Sequence, residues 1–175
     1  PTTRSALEMA LADAAGPLGR AFEALAGGPE AELWELGIIA AEPGAAMQPV
    51  HFDAPARCLF SAFIALQDVT QEMGPTIFLP GTNTPVAHRD FEADPRTLVT
   101  ESRRTIALLE AGDAVLYDSR VLHCGGENRS EARRMLMYIT FRHPAMDVAA
   151  AGIDQHSIRP ELSGRFRLND FRSEG

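Results

Sequence analysis

The stretch GDAVLYDSRVLHCGGENRSEARRMLMYITF, residues 112–141, reads as strand, turn and strand. DAVLYD is a short β-like run, the chain then reaches His123, a glycine-rich turn begins, and MLMYITF restores the β texture. Alternate side chains of a strand share a face. From 134 to 141, one face therefore carries Arg134, Leu136, Tyr138 and Thr140, and the other Met135, Met137, Ile139 and Phe141. The second set is wholly apolar and suits packing under a helix. The first, which includes Arg134, is expected to line a pocket. With residues 125–132 as the turn, Arg134 is expected on the strand next to the one carrying His123, about 4.8 Å away.

Working outward, the same texture recurs. LWELGIIAA, RCLFSAFIALQDV, TIFL and TIALLE are separated by the turn clusters EPGAA, EMGP, PGTNTP and EAGD. Many short strands between Gly/Pro turns predict a β-sandwich or barrel. Leu7, Leu11, Leu18, Phe22 and Leu25 recur at helical spacing, interrupted near Gly16-Pro17. Residues 4–26 thus read as one broken or two short amphipathic helices, ended by Gly27-Gly28-Pro29 and covering one outer face. Residues 90–103 are polar and helix-compatible, an insertion between strands, and the tail from about residue 150 has no clear periodicity. At 175 residues a single domain over 1–175 is expected, with residues 1–28 a helical flank and 33–142 the core. The chain opens on Pro1 rather than methionine, so an absent N-terminal element belongs to that expectation.

Composition narrows the partners. A formal charge of −8 without a basic block argues against nucleic acid and against an anionic membrane. No apolar run approaches a transmembrane helix and no signal peptide is visible. Two cysteines, Cys58 and Cys124, are too few for a disulfide framework, which points to a reducing, intracellular and cytoplasmic setting. A small molecule is the expected partner, and nothing in the sequence speaks to oligomeric state.

The chemistry-bearing residues start in QPVHFDAPARCLF, residues 48–60. Strand alternation sends His51 and Asp53 to one side and Phe52 to the other. A His-x-Asp triplet is weak by itself, and His88-Arg89-Asp90 repeats it in a polar stretch read as a solvated loop bordering the entrance at most. His123 is the best third ligand. Two imidazoles and one carboxylate form a facial triad whose open positions suit iron(II), a bidentate co-substrate and dioxygen. Arg134 suits a two-pronged grip on the far carboxylate of a dicarboxylic co-substrate. Arg120 and Arg129 are weaker rivals for that role. His143 and His156 have neither pairing nor strand context, so they read as structural. Asp113 and Asp118 read as turn caps around DAVLY, and Cys58 and Cys124 as small buried hydrophobes.

With these residues assembled, QPVHFD, ALQDVTQEMGPTIFLPGTN and EAGDAVLYDSRVLHCGGENRSEARR resemble the phytanoyl-CoA dioxygenase family of non-haem iron, 2-oxoglutarate-dependent oxygenases. The resemblance covers roughly residues 33–142. It implies a double-stranded β-helix, the cupin-like jelly roll, with mainly β structure and flanking helices. It implies iron held by His51, Asp53 and His123, and 2-oxoglutarate met by Arg134 with Gln48 and Gly125 nearby. It also implies oxidative decarboxylation of 2-oxoglutarate to succinate with dioxygen, coupled to hydroxylation of a small organic substrate. The chain departs from the family at Asn83, where a histidine is common, and at Gly125, where a small hydroxyl residue is common. Asp53 disfavours halogenation, since halogenases of the superfamily replace this carboxylate with a small residue. Two other readings stand beside this one: a cupin-type metalloenzyme that uses no 2-oxoglutarate, and a non-catalytic jelly-roll binding module.

Overall fold

The computed structural model describes residues 17–55, 57–147 and 157–171. Helix α1 (Pro17–Leu25) precedes β1 (Glu32–Ala41), β2 (Leu59–Ala65) and β3 (Thr76–Phe78). Helices α2 (Pro85–Ala93) and α3 (Pro95–Glu101) interrupt the strands, and β4 (Thr105–Ile106), β5 (Ala114–Asp118), β6 (His123–Gly125) and β7 (Arg134–Arg142) follow. The strands form a four-stranded sheet ordered β1-β7-β2-β5 and a three-stranded sheet ordered β4-β3-β6. Among the described residues, no helix is long and apolar enough to cross a membrane.

Strand β7 sits between β1 and β2, antiparallel to both, with Gly37 and Phe63 flanking Tyr138. Its faces divide as its parity predicts. Ile139 and Phe141 are fully buried in a core with Phe22, Leu168 and Phe171. Phe22 projects from α1 onto Phe141 at a ring separation of 4.9 Å. The opposite face, with Arg134, Leu136, Tyr138 and Thr140, lines a cavity.

The expected neighbour of β7 is different. Strand β6, which carries His123, pairs with β3 in the other sheet, so Arg134 and His123 do not lie on adjacent strands. The turn between them carries the chain from one sheet to the other. Asn128, fully buried, accomplishes this: its side-chain amide donates to the carbonyls of Ala41 and Ala132, each at 2.9 Å. Its backbone N–H donates to Ala45 at 2.9 Å, and its carbonyl accepts from Gly44 at 2.8 Å. These bonds tie the turn to the end of β1 rather than letting it close a two-stranded hairpin. Gly74 packs against the same turn with φ at 69°. A β-carbon there would lie 2.4 Å from the carbonyl oxygens of Gly126 and Glu127, so only glycine fits.

Two helical expectations need correction. Leu25 is 48% exposed and does not join the buried stripe, while Leu7 and Leu11 lie outside the described residues. His88 is not in a solvated loop, because Thr84 accepts from the Ala87 N–H and Pro85 follows, starting α2 ahead of the expected insertion. Asp94 caps α3 in the same way through Thr97. The tail also contributes to the fold. Leu168 N–H donates to Ala31 at 2.8 Å, and Leu168 and Phe171 enter the core from a 3₁₀ turn too short to give a periodic pattern. Beside it, the Glu32 carboxylate meets both Arg142 and Arg167.

Phe141→Ala should lower unfolding stability by about 3–5 kcal/mol, the range for removing a fully buried aromatic ring. Denaturant unfolding measures this, and a loss under about 1 kcal/mol would mean that the α1 face does not hold the core.

Candidate metal centre

His51 lies in an isolated bridge with His123, not in a full strand. Each backbone N–H donates to the other residue's carbonyl, at 2.9 Å from His51 and 2.8 Å from His123. That narrow pair sets the imidazoles 4.6 Å apart, centre to centre. Each Nδ1 lies 2.9 Å from a main-chain carbonyl two residues back, Pro49 for His51 and Val121 for His123. A carbonyl only accepts, so each Nδ1 carries a proton, the tautomer in which Nε2 is the atom free to bind a metal. Asp53 follows on a segment held by two bonds to the Ser119 carbonyl, from the N–H groups of Asp53 and Ala54. Its Oδ1 lies 3.5 Å from His123 Nε2 and 3.8 Å from His51 Nε2. One donor atom from each of the three residues falls within 4.8 Å of the others, which is the convergence a shared cation requires.

Burial tunes the set unevenly. His123 is 3% exposed, and burial holds its pKa below the ordinary value against the opposing pull of Asp53 and the Val121 carbonyl. The neutral form that a metal needs is therefore favoured. Asp53 Oδ2 accepts a 2.8 Å hydrogen bond from the Tyr117 hydroxyl. Burial, followed by the charge of Asp53, pushes the Tyr117 pKa well above its usual range. Sequence reasoning did not find Tyr117. Strand alternation in DAVLYD gives it a face, but only the tertiary fold brings that face to Asp53.

The cavity of about 420 Å³ is lined by these three donors, Arg134 and the aromatic wall of Phe63 and Tyr117. Arg134 is 4% exposed, and its Nε and Nη1 have no hydrogen-bond partner among the described residues. Burial lowers its pKa, yet a guanidinium stays charged in proteins. Arg120 and Arg129, the rivals for its role, are occupied, and so is the adjacent Arg133. Arg120 pairs with Asp118, Arg129 with Glu127 at 2.7 Å and Arg133 with Glu42 at 2.6 Å. Gln48 and Gly125 reach the same region and bind each other. Gln48 Oε1 accepts from Gly125 N–H at 2.8 Å, and Gln48 N–H donates to the Gly125 carbonyl at 2.9 Å. A β-carbon on Gly125 would fall 2.8 Å from Gln48 Oε1 and 3.1 Å from Arg134 Nη2. The absence of a side chain at 125 thus makes room for Gln48.

Phe52 does not point away from the site. It lines the cavity, stacked on His88 at 4.3 Å with the rings 4° from parallel. His88 Nε2 in turn lies 2.8 Å from the Arg120 carbonyl, so the second His-x-Asp triplet backs Phe52 and adds no donor to the cluster. Cys124, buried, pairs with Ile77 and faces away, whereas Cys58 is half-buried with φ at 74°. His143 Nδ1 accepts from Ala145 N–H at 3.0 Å, in keeping with a structural role, and His156 lies outside the described residues. Asp113 and Asp118 cap turns as expected, accepting from the N–H groups of Glu110 and Arg120, each at 3.0 Å.

The phytanoyl-CoA dioxygenase (PhyH) family model matches residues 5–136. The chain belongs to the phytanoyl-CoA dioxygenase family. Dioxygenase aneA of Aspergillus aculeatus is 36% identical over 83 residues, covering 47% of this chain and 26% of its own length. The chain spans about a quarter to a half of the length of the curated relatives it matches. Among solved structures, the non-heme alpha ketoglutarate dependent carbocyclase SnoK from nogalamycin biosynthesis superposes with a TM-score of 0.66 at 21% identity, over 93% of this chain and 70% of that one. The epimerase SnoN, in complex with Fe3+, alpha ketoglutarate and nogalamycin RO, superposes with a TM-score of 0.61 at 22% identity, over 79% and 64%. At these identities the likeness is one of fold, the jelly roll of phytanoyl-CoA dioxygenase family proteins.

Asp118 anchors the turn that delivers His123. Burial alone would raise its pKa, but hydrogen bonds from Arg120 and Asn83 prevail and hold it below 3.8. The unfolded carboxylate binds protons first as pH falls, so this stabilisation is complete above about pH 4 and is lost as pH falls through the depressed value. Asp118→Asn should therefore flatten the acid limb of a plot of thermal midpoint against pH. Identical acid limbs in the two proteins would remove Asp118 from the account.

Proposed function

We propose that this phytanoyl-CoA dioxygenase family protein is an iron(II)- and 2-oxoglutarate-dependent oxygenase that hydroxylates a small organic substrate. One observation carries the reading. Three metal-type donor atoms converge within 4.8 Å in a cavity that also holds a buried guanidinium with unpartnered N–H groups. The donor set of two imidazoles and a carboxylate fits ferrous iron, and His51, Asp53 and His123 would hold it. Bound there, iron supplies the dioxygen chemistry that no side chain provides.

The chain's own residues supply position and shelter. The Nδ1 bonds to Pro49 and Val121 aim both Nε2 atoms, and Arg134 clasps the far carboxylate of 2-oxoglutarate with N–H groups that otherwise lack acceptors. Phe63 and Leu136 give the cavity an apolar wall on one side of these groups. The solved SnoN complex, which contains iron and alpha ketoglutarate on the same fold, supports this pairing of metal and co-substrate. A cupin-type enzyme without 2-oxoglutarate leaves Arg134 unexplained, and a binding module without chemistry leaves the converging donors unexplained. SnoK and SnoN are named a carbocyclase and an epimerase, so hydroxylation is the finer part of the proposal.

Incubation with iron(II), 2-oxoglutarate and oxygen should release succinate. His51→Ala, Asp53→Ala and His123→Ala should each return that release to background, and undiminished turnover in any of the three would refute the ligand assignment. Arg134→Gln should raise the 2-oxoglutarate concentration needed for half-maximal turnover by about 10-fold or more, the scale of losing charge-assisted hydrogen bonds. Arg133→Gln should leave it unchanged, since Arg133 pairs with Glu42 on the surface. The reverse outcome would show that the wrong arginine faces the co-substrate.

A further inference from the structure

Asp53 is a carboxylate of two oxygens, and only Oδ1 faces both imidazoles. Oδ2 is taken up by the Tyr117 hydroxyl at 2.8 Å. An ionised carboxylate only accepts, so the tyrosine donates. The phenol cannot readily swing away. Its ring is packed against Phe63 at 5.1 Å, Phe78 at 5.0 Å and His123 at 5.1 Å, and Tyr117 is 8% exposed. Ser61, opposite Tyr117 across the β2–β5 ladder, is fixed in turn by the hydroxyls of Ser119 at 3.0 Å and Thr140 at 2.8 Å. The hydroxyl that holds Asp53 thus stands on a buried polar shelf spanning β2, β5 and β7. Asp53 has less constraint of its own: it is 34% exposed, on a segment outside the sheets.

We propose that Tyr117 is a positioning residue for the metal centre, occupying Asp53 Oδ2 so that the aspartate binds the metal through Oδ1 alone. A carboxylate left untethered takes one or two coordination positions, and a two-oxygen grip removes a position that co-substrate or dioxygen requires. The tyrosine thereby sets the number of open positions without touching metal or substrate. Outer-shell partners of this kind typically change metal affinity 10–100-fold when removed. The inference rests on His51, Asp53 and His123 being the metal ligands.

Manganese(II), which is resistant to oxidation in this setting, is the probe. Calorimetric titration of wild type, Tyr117→Phe and His123→Ala separates the two layers of the argument. Wild type should bind manganese, His123→Ala should not, and Tyr117→Phe should bind about 10–100-fold more weakly. Metal-free Tyr117→Phe should still unfold cooperatively, because the ring is retained, with its thermal midpoint lowered only by the loss of one hydrogen bond to a carboxylate. Cobalt(II) absorption bands should differ between these two proteins, a signature that a merely structural tyrosine would leave alone. A crystal structure of manganese-loaded wild type tests the claim without any variant. It should show Asp53 bound through one oxygen with Tyr117 still on the other. Equal affinities with equal cobalt spectra, or a two-oxygen Asp53 in the wild-type crystal, overturns the role of Tyr117 while leaving the ligand set standing. Absence of manganese binding by wild type, or undiminished binding by His123→Ala, overturns the ligand set as well.

Discussion

Two main-chain hydrogen bonds join residue 51 to residue 123, each N–H donating to the carbonyl opposite. They clamp two segments far apart in the chain and place their side chains on the same side. A slip of one residue in such a pairing turns a side chain to the opposite face. One imidazole would then leave the cavity, and no cation could be shared. The carbonyls of Pro49 and Val121 extend the constraint by holding both Nδ1 protons, so bridge and ring orientation together decide where the two lone pairs point. Asp53 is placed by the same region, through the bonds that its own N–H and that of Ala54 donate to the carbonyl of Ser119, just past the end of β5.

The second constraint is electrostatic. The protein buries cations in two different ways. Arg142 lies over Trp34 and shares Glu32 with Arg167, so the attraction of the carboxylate offsets part of the cost of taking the guanidinium out of water. Arg134 lacks such an anion among the described residues, and two of its buried nitrogens have no acceptor. Leaving a charged donor in that state is costly, and a bound carboxylate offsets the cost. The same protein thus contains a half-buried arginine paired with a carboxylate and a buried one with no carboxylate partner among the described residues. Arg142 also has one buried nitrogen, Nε, without an acceptor, so it is the Glu32 carboxylate that distinguishes it from Arg134.

Much of this was legible along the chain. The alternation in MLMYITF sorted the core face from the cavity face of β7, because the period-two rule survives burial on both sides of a sheet. Family membership and the jelly roll followed from QPVHFD and the distal His123 with Arg134 beyond it. What escaped has physical reasons. Tyr117 meets Asp53 through tertiary packing, which no spacing encodes. Phe52 and His88 stack only because Thr84-Pro85 starts a helix in a stretch rich in loop-forming residues. Leu168 and Phe171 enter the core from a 3₁₀ turn, where apolar residues need no recurring interval.

The division is clearest at Arg134. Its identity, its face and its nearness to the turn after His123 came from the residues themselves, through strand parity and the apolar set at 135, 137, 139 and 141. Which sheet it belongs to did not. A turn written GGENRSEA suits a hairpin between adjacent strands as well as a crossing between sheets. Asn128 resolves the choice by bonding to Ala41 and Ala45, residues distant in the chain, so the guanidinium reaches the metal-side cavity from the opposite sheet. Local spacing determines which way a side chain points, whereas hydrogen bonds to remote backbone determine what it points at.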